Sequence, residues 1–272
     1  MKCILVASPG RSGTHFLSTL LSRCCPSVHS LHEPQPSLSD YHLGLSSSSL
    51  TPELITAKVK AMHETATHKS SEESGLTHYA ETNHTLLHSD RNVELVQSLL
   101  DKFESIHIII PGRPVNEVIL SRLRLGHGES YMKEGALMYR GLGWIYLLNS
   151  SELPSARTTA LDPFDVVSNY VNRTGTNIAN LERVFSDEDR VAFRGIEWPL
   201  QEVNVTRLIG ESLGLVYDRQ LLKSFLAQGR TNEREGDKKK AELRAGRRWG
   251  EREVAVAMTA QSVVKRAIEQ AR

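Results

Sequence analysis

One short stretch of the sequence places anion-binding groups between an apolar strand and an apolar helix. The stretch SPGRSGTHFL, residues 8–17, directly follows the apolar run CILVA. Backbone N–H groups at a helix N-terminus favour an anion, and an arginine and hydroxyl side chains add charge and donors. The pattern therefore predicts a phosphate-binding turn. Its residues are Arg11, Ser12, Gly13, Thr14 and His15.

This turn departs from the two common nucleotide-binding motifs. The nucleoside-triphosphatase loop requires G-x-x-x-x-G-K-[ST]. If Gly13 is aligned with the second glycine, Ser8 stands at the first glycine and Thr14 at the lysine. The Rossmann pattern G-x-G-x-x-G is also missing. The residues alone therefore leave two interpretations open, an anion-binding turn of another class and a simple tight turn.

Two further stretches place polar side chains after predicted strands. In SIHIIIPGRPVNEVILS, Arg113 follows a predicted strand at 106–110, and Ser121 lies eight positions later on the next predicted helix. In CCPSVHSLHEP, Glu33 follows a short predicted strand at 28–31. Because ligands of parallel α/β sheets bind beyond the carboxyl ends of the strands, we expect these side chains to share one edge of the sheet.

Alternation of strands and helices predicts an α/β fold with three layers, in which a central, mainly parallel sheet is flanked by helices. A further strand is expected in THYAETNHTLL and another at 190–196. Helical spacing or helix-start signals predict the helices. The predicted helices are 12–23, 52–65, 91–103, 115–125, 133–149, 163–172, 177–185, 200–213 and 253–268.

Length and composition predict one domain over residues 1–272, with a Ser- and Pro-rich flexible loop at about 35–51 and a charged segment at about 229–252. Hydrophobic residues make up 39%, charged residues 24%, and the formal net charge is +1, which gives no bias toward nucleic acid or membrane. No apolar run is long enough to span a bilayer. The three cysteines lack metal-ligand spacing, so we expect a protein without a metal. Because the sequence predicts no membrane span, we expect the protein to be cytoplasmic.

Taken together, SPGRSGTHF and IIIPGRPVNEVILSRL resemble the two donor-binding motifs of the sulfotransferase family. The family's first motif is a strand followed by Pro-(Lys/Arg)-Ser-Gly-Thr-Thr, and its second is a strand followed by Arg-Asp-Pro with a serine eight positions after the arginine. The resemblance implies a P-loop-NTPase-like sulfotransferase fold. This sequence departs from the family in three ways. Gly10 is inserted, His15 replaces the second threonine, and the aspartate of the second motif is absent.

The resemblance also implies a reaction. The sulfuryl group of 3′-phosphoadenosine 5′-phosphosulfate (PAPS) would pass in line to a hydroxyl or amine of a small-molecule or carbohydrate acceptor, leaving 3′-phosphoadenosine 5′-phosphate (PAP), without a metal. Arg11 would contact the 5′-phosphosulfate, and Arg113 and Ser121 the 3′-phosphate. Glu33 is the first candidate for the general base, with His32 and His84 as rivals. Arg247 and Arg248, in the charged segment, would close over the donor as a lid.

Two other classes of protein remain open from the sequence. One is a P-loop-like nucleotide-binding kinase, which the missing lysine after Gly13 disfavours. The other is a non-catalytic relative that binds the nucleotide for regulation or assembly. The sequence leaves the acceptor and the oligomeric state open, with a homodimer among the options.

Overall fold

The fold was obtained as a computed structural model, which describes residues 1–9, 13–34, 51–83, 87, 91–133, 136–139 and 162–228. The strands and helices alternate along most of these residues. In chain order they are β1 (Lys2–Val6), α1 (Thr14–Cys24), β2 (Val28–Leu31), α2 (Pro52–Glu72), β3 (His78–Glu81), α3 (Asn92–Leu100), β4 (Ile106–Gly112), α4 (Val115–Arg124), β5 (Ser130–Lys133), β6 (Ala136–Tyr139), α5 (Pro163–Val184), β7 (Val191–Glu197), α6 (Glu202–Thr206), a π-helical segment (Arg207–Ser212) and α7 (Arg219–Ala227).

Five of the strands form one sheet in the order β2-β3-β1-β4-β7, and all four pairings in it are parallel. The carboxyl ends of all five strands therefore lie at the same edge. β5 and β6 pair antiparallel in a separate hairpin. The predicted three-layer α/β fold with a parallel central sheet is confirmed.

Side chains of β1 alternate between two apolar clusters, as the two-residue period of a strand requires. Cys3 and Leu5 pack with α2, α3 and the C-terminal half of α5. Ile4 and Val6 pack with α1, the π-helical segment and α7 on the opposite face. Burial of both faces explains why β1 is a continuous apolar run. A third cluster joins α4 to the N-terminal half of α5.

Several predicted elements differ from the observed ones. The helix predicted at 133–149 is wrong over the residues that the structure describes, because Lys133 pairs with Ala136 in the β5–β6 hairpin. The two helices predicted at 163–185 are the single helix α5, which continues through Gly175. The predicted helix 200–213 is α6 followed by the π-helical segment. Helix α7 was not predicted, although Asp218 caps it by accepting from the N–H groups of Gln220 and Leu221.

Other predictions concern segments outside the described residues. These are most of the loop 35–51, the charged segment 229–252 and the helix 253–268. Thr51, the last residue of the predicted loop, is described and caps α2 by accepting from the N–H of Leu54 at 3.3 Å. Among the helices of the described part, none is long and apolar enough to cross a membrane.

Candidate functional site

The predicted phosphate-binding turn lies at the carboxyl end of β1, where α1 begins. Gly13 is the N-cap of α1 and has a φ of +82°, which favours glycine over residues with a Cβ. An added Cβ would lie 3.2 Å from Leu200 Cδ1 and 3.5 Å from the ring of Trp198. The first N–H groups of α1, beginning at the buried Thr14, have no intrahelical acceptor and suit an anion. Arg11 and Ser12 lie outside the described residues.

The second predicted motif lies at the end of the neighbouring strand β4, which pairs with β1 through Val6 and Ile109. The guanidinium carbon of Arg113 stands 4.9 Å from the ring centroid of Trp198, in a cation–π contact. Arg113 Nε also donates to Glu117 Oε2 at 3.3 Å. Ser121 lies four positions beyond Glu117, on the same face of α4. Glu117, which Arg113 contacts from the turn before the helix, therefore shares a helix face with Ser121.

Trp198 connects the two turns. It follows β7, the strand next to β4, and its ring lies close to Gly13 while it carries the guanidinium of Arg113. A single indole thus spans from the β1–α1 turn to the β4–α4 turn. Trp198 could not be predicted as a site residue, because the sequence around it, WPLQ, does not indicate which strand lies beside β7.

Arg122 supports the first turn from inside the protein. It is 1% exposed, and its Nε donates to Pro9 O at 2.9 Å, with a second donation from Nη2 to the same oxygen. Its Nη1 donates to His127 Nδ1 at 3.0 Å, and its guanidinium stacks on Tyr170 at 4.5 Å. Because Pro9 belongs to the β1–α1 turn, this buried arginine holds the turn against α4. The sequence analysis did not single it out.

Glu33 lies just past β2 and has a φ of +49°, a left-handed conformation that non-glycine residues rarely adopt. Its side chain is partly buried and interacts electrostatically with Arg122 and Tyr170. Burial lowers the pKa of Arg122, and attraction to Tyr170 and Glu33 opposes that change. The candidate base therefore lies near the buried cation that holds the predicted phosphate-binding turn.

His32 has its tautomer fixed by the backbone. Its Nδ1 lies 2.7 Å from the carbonyl oxygen of Thr82, which only accepts, so Nδ1 carries the proton. In the neutral ring, Nε2 is then the basic nitrogen. The ring of His15 meets that of His32 edge to face, with centroids 5.1 Å apart. His15, which replaces the family's second threonine, thus packs the start of α1 against the segment that carries Glu33.

A buried ion pair lies behind this segment. Lys58 Nζ on α2 is 2.7 Å from Glu81 Oε1 at the end of β3, and the two side chains are 1% and 0% exposed. Tyr79 Oη donates to the second oxygen of Glu81 at 3.2 Å. Burial raises the pKa of Glu81, and Lys58 opposes that rise. This ion pair could not be predicted from the sequence, because no local pattern indicates that a lysine on a helix contacts a glutamate 23 residues later on a strand.

The structure brings two groups of predicted residues to one edge of the sheet. Gly13, Thr14 and His15 lie with Glu33 around the start of α1, while Arg113 and Ser121 lie on the adjacent β4–α4 unit. The remaining predicted site residues lie outside the described part of the chain. They are Arg11, Ser12, His84, Arg247 and Arg248.

Two solved structures resemble this chain over most of its length. One is a sulfotransferase domain from the curacin biosynthetic pathway, with 14% identity, a TM-score of 0.49 and coverage of 80% of this chain and 75% of that chain. The other is a sulfotransferase domain from the Synechococcus PCC 7002 olefin synthase, with 16% identity, a TM-score of 0.45 and coverage of 81% and 76%. No protein-family model matches the sequence, and no curated protein matches it significantly.

Proposed function

We propose that this chain is a PAPS-dependent sulfotransferase that acts on a hydroxyl or amine of a small-molecule or carbohydrate acceptor. The observation that carries the proposal is the pair of turns after the adjacent strands β1 and β4, both of which contact Trp198 and which carry the residues predicted to bind anions. A donor with phosphate groups at both the 3′ and 5′ positions needs two such turns, whereas ATP has no 3′-phosphate. This difference supports PAPS over a nucleoside triphosphate.

The residues of the first turn fit a 5′-phosphosulfate. Gly13 adopts the left-handed conformation that begins α1, and the N–H groups at the start of α1 supply donors. Arg11, Ser12 and Thr14 add one positive charge and two hydroxyl donors. In the proposed reaction these groups stabilise the negative charge that grows on the leaving phosphate.

The residues of the second turn fit a 3′-phosphate. The guanidinium of Arg113 presents a planar set of donors that matches phosphate oxygens, and Ser121 adds a hydroxyl from α4, the helix that follows Arg113. Arg113 Nε donates to the anionic carboxylate of Glu117, so this guanidinium is already in contact with an anion. Trp198 supports the other side of the guanidinium.

Glu33 is the proposed general base. As the acceptor oxygen forms its bond to sulfur, the acceptor proton passes to the Glu33 carboxylate, and the bond between sulfur and the bridging phosphate oxygen breaks. Proximity to Arg122 keeps this carboxylate beside the first turn. His32, through Nε2, and His84 are the alternative bases.

The buried free thiols of Cys3, Cys24 and Cys25 fit a reducing compartment such as the cytoplasm.

Calorimetry with PAP and ATP tests the proposed donor. We expect PAP to bind at least about tenfold more tightly than ATP. Arg113→Ala should weaken PAP binding by about 10- to 100-fold, because a charge-assisted contact to phosphate is lost. Arg124→Ala, an exposed arginine on the same helix, is the matched control and should leave PAP binding unchanged. Tighter binding of ATP, or equal effects of the two substitutions, would contradict the proposal.

A transfer assay tests the reaction itself. Labelled PAPS is incubated with the protein and a panel of hydroxyls, amines and oximes, with water as the acceptor of the control reaction. We expect label to appear on at least one acceptor, and to disappear with Arg113→Ala at low donor concentration. A protein that binds PAP but transfers no label to any acceptor or to water would be the non-catalytic nucleotide-binding protein left open by the sequence.

A further inference from the structure

The segment of residues 32–34 is attached to the sheet on both sides of Glu33. On one side, the ring of His32 donates to Thr82 O at 2.7 Å. On the other side, Lys58 Nζ donates to Pro34 O at 3.1 Å. The N–H of Thr82 also donates to Leu31 O at 3.0 Å, which continues the β2–β3 pairing up to this point. These contacts all lead back to the end of β3 or to the lysine paired with it.

The backbone of Glu33 needs such attachments. A non-glycine residue with a φ of +49° is in a sparsely populated region that costs of the order of 1 kcal/mol and persists only where the surroundings hold it. If Pro34 were released, the segment could relax to an ordinary extended conformation. Relaxation would turn the Glu33 carboxylate away from its position near Arg122.

Lys58 is an unusual residue for this task, because a buried ammonium is costly to desolvate. Its cost is offset by Glu81, whose two oxygens also accept from Tyr79 Oη at 3.2 Å and from Asn83 Nδ2 at 3.4 Å. An apolar pair would fill the same volume and often gives equal or greater stability. An apolar side chain at position 58 could not donate to the carbonyl of Pro34. The bond to Pro34 is therefore what the lysine supplies and an apolar residue at this position would not.

We propose that Lys58 is a positioning residue, whose buried ammonium, fixed by Glu81, holds the Pro34 carbonyl and so keeps the Glu33 carboxylate at the site. The catalytic part of this inference rests on the proposed function. The structural part, that Lys58 holds residues 32–34, does not depend on it.

The test removes the ammonium without leaving a buried charge unpaired. Lys58→Met alone leaves the carboxylate of Glu81 buried without its cation, and this variant is expected to fold poorly. Lys58→Met combined with Glu81→Gln keeps the shape of both side chains and makes the pair neutral. The matched control is Lys60→Met with Glu64→Gln, an exposed pair on the same helix whose side chains are 71% and 65% exposed.

Hydrogen exchange tests the structural part. In the buried double variant we expect the amides of residues 31–33 and of Thr82 to exchange about tenfold faster, since local opening becomes easier. Amides in the middle of β1 and α1 should keep their protection, and the exposed double variant should match the parent throughout. Unchanged exchange at 31–33 would overturn the inference, whether or not the protein is a sulfotransferase.

Kinetics test the catalytic part. We expect the buried double variant to bind PAP within about twofold of the parent. Its kcat for transfer from labelled PAPS, to water or to the acceptor found in the panel, should fall by about 100-fold, because misplacing a catalytic group by about 1 Å has an effect of this size. Parental kcat with accelerated exchange would overturn the positioning role. A parent protein that binds no PAP would contradict the proposed function, while the exchange result would still decide the structural part.

Discussion

Glu33 combines an uncommon backbone with a neighbourhood of opposite charge. Its φ of +49° directs the side chain differently from an extended residue after β2, and its electrostatic partners are the buried Arg122 and Tyr170. Strained, non-glycine backbone is often found where a side chain must be held for function. Because His32 and Pro34 are both bonded to other elements, these two neighbours help to hold the strained backbone of Glu33.

Substitution of the Glu33 carboxylate tests its proposed role. Glu33→Gln should lower kcat by about 10²- to 10⁴-fold, because an amide does not accept the acceptor proton. PAP binding should stay at the parental value, since Glu33 is not among the donor-binding residues. Glu73→Gln, which changes an exposed carboxylate at the end of α2, is the control. Full activity of Glu33→Gln would assign the base elsewhere, and His32→Ala and His84→Ala would then be compared.

Helix α4 and the turn before it carry the side chains that we propose bind the 3′-phosphate. Glu117 and Ser121 lie four residues apart on one face of the helix, and Arg113, which precedes the helix, contacts Glu117. Glu117 is 44% exposed and paired with Arg113. A phosphate that binds Arg113 must therefore compete with a carboxylate already in contact with it.

Removal of this competitor should strengthen donor binding. Because exposed ion pairs contribute about 0.2 to 1 kcal/mol, Glu117→Gln should raise the affinity for PAP by up to about fivefold. The gain should shrink as salt is added, since salt screens the exposed carboxylate. Calorimetry at two salt concentrations measures both effects, with Glu64→Gln on α2 as the control. Weaker PAP binding by Glu117→Gln would show instead that the carboxylate orients Arg113 for the ligand.

Elements with a strong local signal could be predicted from the sequence, and elements decided by packing could not. The runs that form β1 and β4 are apolar because both of their faces are buried, and a turn and an amphipathic helix follow each run. The helix predicted at 133–149 is wrong at its start, because Lys133 and Ala136 pair across a hairpin and the sequence there carries no strong turn signal such as Asn-Gly. The interval between the two helices predicted at 163–172 and 177–185 contains Gly175, whose cost of about 1 kcal/mol within a helix is small beside the buried side chains on either side.

The whole molecule determines which side chains meet. β4 and β7 are neighbours, with Ile106 opposite Val191, although they lie far apart in the chain. This pairing brings Trp198 to Arg113, and no local motif predicts it. In the same way, the packing of α2 against the sheet places Lys58 at the end of β3, where its ammonium pairs with the carboxylate of Glu81. The motif residues were predicted from short spacing and their roles stay predictions, whereas the residues that support them depend on the order of strands in the sheet.

Two histidines near the amino ends of β3 and β4, at the edge of the sheet away from the candidate site, are expected to make the free energy of unfolding depend on pH. His78 on β3 and His107 on β4 have ring centroids 6.4 Å apart, and His78 Nε2 and His107 Nδ1 have no hydrogen-bond partner among the described residues. Burial, with repulsion from Lys2 and His107, lowers the pKa of His78 to about 4. Burial also lowers the pKa of His107, helped by Arg194 and Lys2. Both rings are therefore neutral in the folded protein near neutral pH.

The unfolded chain takes up these protons first, because its histidines titrate near their ordinary pKa of about 6.5. The free energy of unfolding should then fall as the pH drops from about 6.5 toward 4, with up to about 3 kcal/mol lost through His78. Urea unfolding at about pH 7 and about pH 5 should detect about 2 kcal/mol of this loss, and His78→Gln with His107→Gln should remove most of it. His68→Gln, at an exposed position on α2, should keep the parental slope. A double variant that loses as much stability as the parent over this range would place the proton uptake on other groups.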